Sequence, residues 1–162
     1  MQFYRVFVYG TLKRGFNLAW ALDGQKFIGR AVTKPLYRMY NCGSYPALVI
    51  SDDGFEIIGE LWEVDLHGLT LLDEVEGIST GLYERGLVEL KEPVGFEDVE
   101  AYFYCHAVDG FADVGRDWFS FLQPQISRLV GARDNTVPRS LSGLHFRSVF
   151  RSLGERLRRR LH

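Results

Sequence analysis

The chain has 162 residues, 46% of them hydrophobic and 25% charged, with a formal net charge of −2. These are the proportions of a globular protein, and the length allows one ordinary domain plus an extra segment. No run approaches the ~18 consecutive apolar residues of a membrane-spanning helix, which excludes that class. Cys42 and Cys105 are the only cysteines, without Cys-x-x-Cys spacing, and the N-terminus lacks a secretory pattern, so a cytoplasmic location is expected.

The near-balanced charge hides a division. Residues 1–124 hold ten basic residues against nineteen acidic ones, a formal charge of −9, whereas residues 125–162 hold nine arginines against Asp134 and Glu155, a charge of +7. A reversal this sharp marks a boundary between a domain at 1–124 and a basic extension at 125–162.

In chain order, Phe3, Val6, Phe7 and Val8 form an aromatic and β-branched run of strand length that passes into a polar loop bracketed by Gly10 and Gly15. Such a loop presents backbone N–H groups without ladder partners, and a glycine lets a ligand approach the main chain. It therefore suits a carboxylate or an oxyanion. The plainer reading is a turn carrying a solvated Lys13-Arg14 pair.

Asn17 to Leu22 has helical composition, with Asn17 as N-cap and Gly24 as the stop. Lys26 to Arg38 reads as extended, interrupted by Pro35. Asn41 to Pro46 is loop and Ala47 to Ile50 strand. Ser51-Asp52-Asp53-Gly54 has hairpin-turn chemistry, and Ile57 to Val64 is the returning strand, where Gly59 permits close approach or a bulge. Asp65 caps a helix whose Leu66, Leu69, Leu72 and Val75 make one apolar stripe, ended by Gly77. Tyr83 to Lys91 and Val99 to His106 are two further strands, joined across Pro93 to Asp98.

Two short helices among about six strands make an α+β fold, and short connections favour a mostly antiparallel, curled sheet. Residues 125–140 read as a linker or irregular arm, and Leu141 to His162 as a basic amphipathic helix. That helix could lie on an anionic membrane surface, bind nucleic-acid phosphates, or dock on the acidic domain of its own or a neighbouring chain in a homo-oligomer. The opposite charges favour docking.

Asp73, Glu74 and Glu76 sit at the end of the Asp65-capped helix, where the macrodipole disfavours negative charge, so something must offset that cost unless they form a solvated face. His67, His106, His145 and His162 are scattered without a paired ligand spacing, and Lys13-Arg14 lacks the Gly-Lys-Ser/Thr ending of a phosphate loop. No feature activates Cys42 as a nucleophile, and Cys105 reads as core. No metal or cofactor is expected.

Several segments agree in order with a known family. Tyr9-Gly10-Thr11-Leu12 followed by Lys13-Arg14-Gly15, then Asn17, Gly43-Ser44-Tyr45-Pro46-Ala47, Gly59-Glu60-Leu61-Trp62-Glu63-Val64, Leu72-Asp73-Glu74-Val75-Glu76-Gly77 and Tyr83-Glu84-Arg85 span roughly Phe3 to Phe121. This series resembles the γ-glutamylcyclotransferase-like family, including its γ-glutamylamine cyclotransferase branch. The resemblance implies a small barrel-like sheet with a pocket at one end and a cofactor-free enzyme of lyase or transferase type. It implies a small γ-glutamyl substrate, Glu76 as the catalytic glutamate, and Tyr9, Gly10, Thr11, Leu12 and Tyr83 as substrate-binding residues. Tyr83 could donate a hydrogen bond to substrate or to Glu76, Tyr45 and Pro46 could form a pocket wall, and Arg85 could pair with a carboxylate.

In a γ-glutamyl compound the α-amine can close on the γ-carbonyl, giving 5-oxoproline and expelling the attached amine or amino acid. The nucleophile belongs to the substrate. The protein need only hold the folded conformer, move a proton and stabilise an oxyanion. Two other readings stand beside this one: a binding or regulatory module working through the basic tail, and a related amide cleavage on a biosynthetic intermediate.

Overall fold

The computed structural model describes residues 2–131, with side chains as far as residue 128. It contains strands β1 (Phe3–Val8), β2 (Lys26–Thr33), β3 (Tyr37–Asn41), β4 (Pro46–Ile50), β5 (Ile58–Asp65), β6 (Tyr83–Leu87), β7 (Leu90–Glu92) and β8 (Val99–Tyr104). Helices are α1 (Leu66–Val75) and α2 (Trp118–Gly131), with short 3₁₀ turns at Ala19–Leu22 and Ile78–Thr80. Six strands form one sheet in the order β6-β8-β1-β5-β2-β7, and β3 with β4 form a separate hairpin beside β8. All pairs are antiparallel except β1 with β8. The curled α+β sheet expected from the sequence is what the chain forms.

Strand β1 is central, and its residues alternate between two cores. Phe7 packs with Tyr9, Met39, Leu48, Leu61, Phe103 and Trp118, while Val6 and Val8 pack with Trp62, Leu69, Leu72 and Tyr102. Burial on both faces is why its second half, Val6–Val8, reads as a continuous apolar run rather than an alternating one.

The segment from Tyr83 to Glu92 curls the sheet. Its first part, β6, pairs with β8 at one edge, and its second part, β7, pairs with β2 at the other. Between them the Val88 amide donates to the Val99 carbonyl (2.9 Å) and the Glu89 carbonyl accepts from the Lys34 amide (2.9 Å). One stretch of chain therefore belongs to both edges, which leaves the sheet a half-closed barrel. The single strand expected from Tyr83 to Lys91 is thus two.

Three local expectations are corrected. The turn at Ser51-Asp52-Asp53-Gly54 forms, with the Gly54 amide on the Ser51 carbonyl (3.1 Å), but it does not close a hairpin. Strand β4 pairs back with β3, and β5 lies between β1 and β2, because long-range pairing overrides local turn chemistry. Asn17 is not a cap: the short 3₁₀ turn begins after Leu18 without a side-chain hydrogen bond. Leu66, first in α1, is exposed, so the buried stripe is carried by Leu69 and Leu72.

Other expectations hold. Asp65 caps α1 by accepting from the Gly68 amide (2.7 Å), and Gly77 leaves it with φ of 68°, a left-handed conformation favouring glycine. Gly59 marks a close approach: a Cβ there would sit 2.4 Å from the Val8 carbonyl oxygen and 2.6 Å from the Phe7 ring. Helix α2 runs through 125–131, the start of the stretch that reads as linker, with Pro124 inside it. The rest of that arm, and the basic amphipathic helix expected at Leu141 to His162, lie outside the described residues.

Candidate functional site

The loop after β1 is built as a compact turn. The Lys13 amide donates to the Gly10 carbonyl and the Leu18 amide to the Thr11 carbonyl, both at 3.1 Å. Among the described residues the amides of Gly10, Thr11 and Leu12 have no acceptor, although all three residues are buried. Buried N–H groups without partners are uncommon and costly, and three in succession form a concavity suited to an anionic oxygen. Gly10 is required by space: a Cβ there would stand 2.4 Å from Pro46 Cγ and 2.8 Å from Cδ.

Of the Lys13-Arg14 pair, Arg14 is exposed but Lys13 is not solvated. Lys13 is 8% exposed and its ammonium pairs with Asp117 at 2.8 Å. Asp117 in turn accepts from the Phe119 and Ser120 amides at the start of α2, so Lys13 ties the loop to that helix. Arg14 lies over the Phe27 ring and bonds Glu60 through Nε (3.1 Å), and its own amide bonds the same carboxylate (3.1 Å). Both cations hold the loop in place.

Glu76 follows the last residue of α1 and keeps helical dihedrals (φ −85°, ψ −5°). Its carboxyl has no hydrogen-bond or ion-pair partner among the described residues. Burial pushes its pKa up from the ordinary 4.5 to about 8, while the residue as a whole is half-buried and lines the cavity described below. A carboxyl that is dry yet reachable, and that titrates near neutrality, is suited to take a proton and return it.

Three tyrosines surround it. The Tyr9 hydroxyl donates to the Tyr102 carbonyl (2.6 Å), the Tyr83 hydroxyl to the Pro46 carbonyl (2.7 Å) and the Tyr102 hydroxyl to Asp73 Oδ1 (2.8 Å). Burial holds all three phenols well above their ordinary range, with the neighbouring Glu76 charge adding to the effect, so each stays a neutral donor. The expected Tyr83 bond to Glu76 is not formed, because that hydroxyl is engaged by Pro46. Tyr83 serves instead as wall, with Tyr45 edge-on to it at 6.2 Å.

These groups line a narrow cavity with a volume of ≈ 20 Å³, room for about one water, that opens to solvent. Every site residue expected from the sequence lines it: Tyr9, Gly10, Thr11, Leu12, Glu76 and Tyr83, with Tyr45 and Pro46. Phe7, Val8 and Tyr102 complete the lining. Tyr102 went unnoticed because an aromatic inside Tyr102-Phe103-Tyr104 reads as strand core; its hydroxyl, which needs a partner when buried, was the available signal. Asn17 and Arg85 are not among the lining residues. Arg85 pairs with Asp73 (2.8 Å) and Glu100 (2.6 Å), as expected of an arginine near carboxylates.

The family model described as gamma-glutamyl cyclotransferase, AIG2-like, matches residues 6–119, a span that includes the whole cavity lining. The chain belongs to this cyclotransferase family. A Vibrio cholerae protein named for γ-glutamylcyclotransferase is 36% identical over 114 residues, covering 70% of this chain and 93% of the relative. The γ-glutamylaminecyclotransferase A of Danio rerio is 38% identical over 106 residues, covering 60% and 65% respectively. Among solved structures, an uncharacterized protein of Pyrococcus horikoshii superposes with a TM-score of 0.59 at 26% identity, over 78% of this chain and 97% of that one. As a member of this family the chain is a cyclotransferase. No helix among the described residues is long and apolar enough to cross a membrane.

Proposed function

We propose that this cyclotransferase acts on a γ-glutamyl amine or γ-glutamyl amino acid, releasing 5-oxoproline and the free amine by attack of the substrate's own α-amine. The observation that carries the reading is a carboxyl, Glu76, in one small cavity with the Gly10, Thr11 and Leu12 amides, none of them with a partner among the described residues.

The substrate enters folded, with its α-nitrogen against Glu76. A substrate ammonium beside the carboxyl favours the ionised form and lowers its pKa toward neutrality. Glu76 takes a proton from the ammonium, and the freed lone pair attacks the γ-carbonyl carbon. The loop amides bind an anionic oxygen of the substrate, fixed in place by Lys13 with Asp117 and Arg14 with Glu60, so no reorganisation is needed as charge develops. Glu76 returns that proton to the leaving nitrogen as its bond to carbon breaks, then carries the second proton from the new lactam nitrogen to the departing amine. The two protons given up by the α-nitrogen end on the departing amine, and the protein ends as it began.

The nucleophile and the electrophile share one molecule, so confinement supplies much of the rate. The tyrosine walls bound the site as neutral phenols and leave the proton chemistry to Glu76. The test is to incubate the purified protein with γ-glutamyl amines, γ-glutamyl dipeptides and glutathione. Equal amounts of 5-oxoproline and free amine from at least one of them are expected; a folded protein that turns over none overturns the reading.

A further inference from the structure

Arg85 is 27% exposed on its side chain, is not among the cavity-lining residues, and yet is bound from two sides. Its Nε meets Asp73 Oδ1 at 2.8 Å and its terminal nitrogen meets Glu100 Oε2 at 2.6 Å. The same Asp73 oxygen accepts from the Tyr102 hydroxyl at 2.8 Å, and Tyr102 is a wall of the Glu76 cavity. Asp73 precedes Glu76 by three residues on α1, and residues so spaced are surface neighbours on a helix, about 5–6 Å apart at Cβ. An unneutralised Asp73 would therefore set a negative charge beside the carboxyl that must ionise, at the end of a helix whose dipole already disfavours it.

We infer that Arg85 is a positioning residue that neutralises Asp73, keeping its charge off Glu76 while leaving it as the acceptor that fixes Tyr102. The inference rests on the reading of Glu76 as the proton carrier. The other titratable groups facing Glu76 are Tyr9 from β1, Tyr83 from β6 and Tyr102 from β8, all neutral phenols. Asp73 and Glu74 are the other carboxylates at this end of the helix; Asp73, spaced three residues from Glu76, is the one Arg85 meets, and Arg85 shares its charge with Glu100.

The test follows the Glu76 carboxyl directly by carbon NMR of glutamate-labelled protein at low salt, its signal assigned by loss in Glu76→Gln. Arg85→Met should raise the Glu76 midpoint by about one pH unit, Asp73→Asn should lower it by a similar amount, and the double variant should return it close to wild type. Arg85→Lys, which keeps the charge, should stay near wild type. A merely structural role would not give opposite shifts that cancel. Unmoved midpoints in the single variants, or a double variant that fails to restore, overturn the inference. If Arg85→Met does not fold, the signs in Asp73→Asn and Arg85→Lys decide. Because this readout needs no turnover, its failure is distinct from failure of the proposed activity.

Discussion

Glu76→Gln should make the protein more stable, and increasingly so as pH rises. In the folded chain this carboxyl titrates near 8, against 4.5 for an ordinary glutamate. Between those values the native state binds more protons than the unfolded state, so folding stability contributed by this group falls as pH rises through 4.5, keeps falling to about 8, and levels off beyond. At 1.36 kcal/mol per pH unit the limiting penalty is about 5 kcal/mol. The residue is half-buried rather than sealed, so solvent and relaxation reduce the penalty, and a plateau of roughly 2–3 kcal/mol is expected. Glutamine keeps the shape and cannot ionise, which removes the penalty. Urea unfolding of both proteins at several pH values from 4 to 9 reads the difference from the midpoints, provided the slopes match. Near pH 4 the two should coincide, and above pH 8 the glutamine variant should be the more stable. A stability difference that stays constant across that range would refute the claim that Glu76 is a desolvated carboxyl.

Two further substitutions probe the loop. Gly10→Ala puts a Cβ 2.4 Å from Pro46 Cγ, so Pro46 must retreat and strain its carbonyl bond to Tyr83. A loss of ~1–3 kcal/mol in chemical denaturation is expected, together with a fall in 5-oxoproline release; an unchanged midpoint would show that the loop and Pro46 are not in tight contact. Lys13→Met removes the cation beside Asp117 and should cost ~1–3 kcal/mol and raise KM, since the loop loses its tie to α2. Lys13 and the Ser120 side chain hold the Asp117 carboxyl below its ordinary value against the opposing effect of burial. The wild-type advantage should therefore be present above about pH 4 and fade as acid protonates Asp117.

Much of the site was readable because its signals are local. A strand ending in Tyr9-Gly10, a capped helix ending in Glu76-Gly77 and a strand beginning at Tyr83 carry their own punctuation, and the ordered family series joined them. What escaped depends on distance. The Asp-Gly turn is real, yet which strands pair was decided elsewhere, by β1 claiming β5 and by one segment serving both sheet edges. Lys13 looked solvated because its partner, Asp117, lies 104 residues away. Arg85 could be assigned to some carboxylate, but that it shares an oxygen of Asp73 with Tyr102 needs three elements in place. That Glu76 has no partner among the described residues is likewise invisible in sequence, where acidic neighbours suggest a solvated face rather than a dry one.

The most direct measurement is the pH dependence of kcat/KM for 5-oxoproline release by wild type, with Glu76→Gln assayed in parallel on the same substrate. The wild-type profile should show an acid limb governed by a group titrating near 8, and the folded glutamine variant should be slower by about 10²–10⁴-fold. A glutamine variant with near wild-type turnover would contradict the assignment of the proton to Glu76.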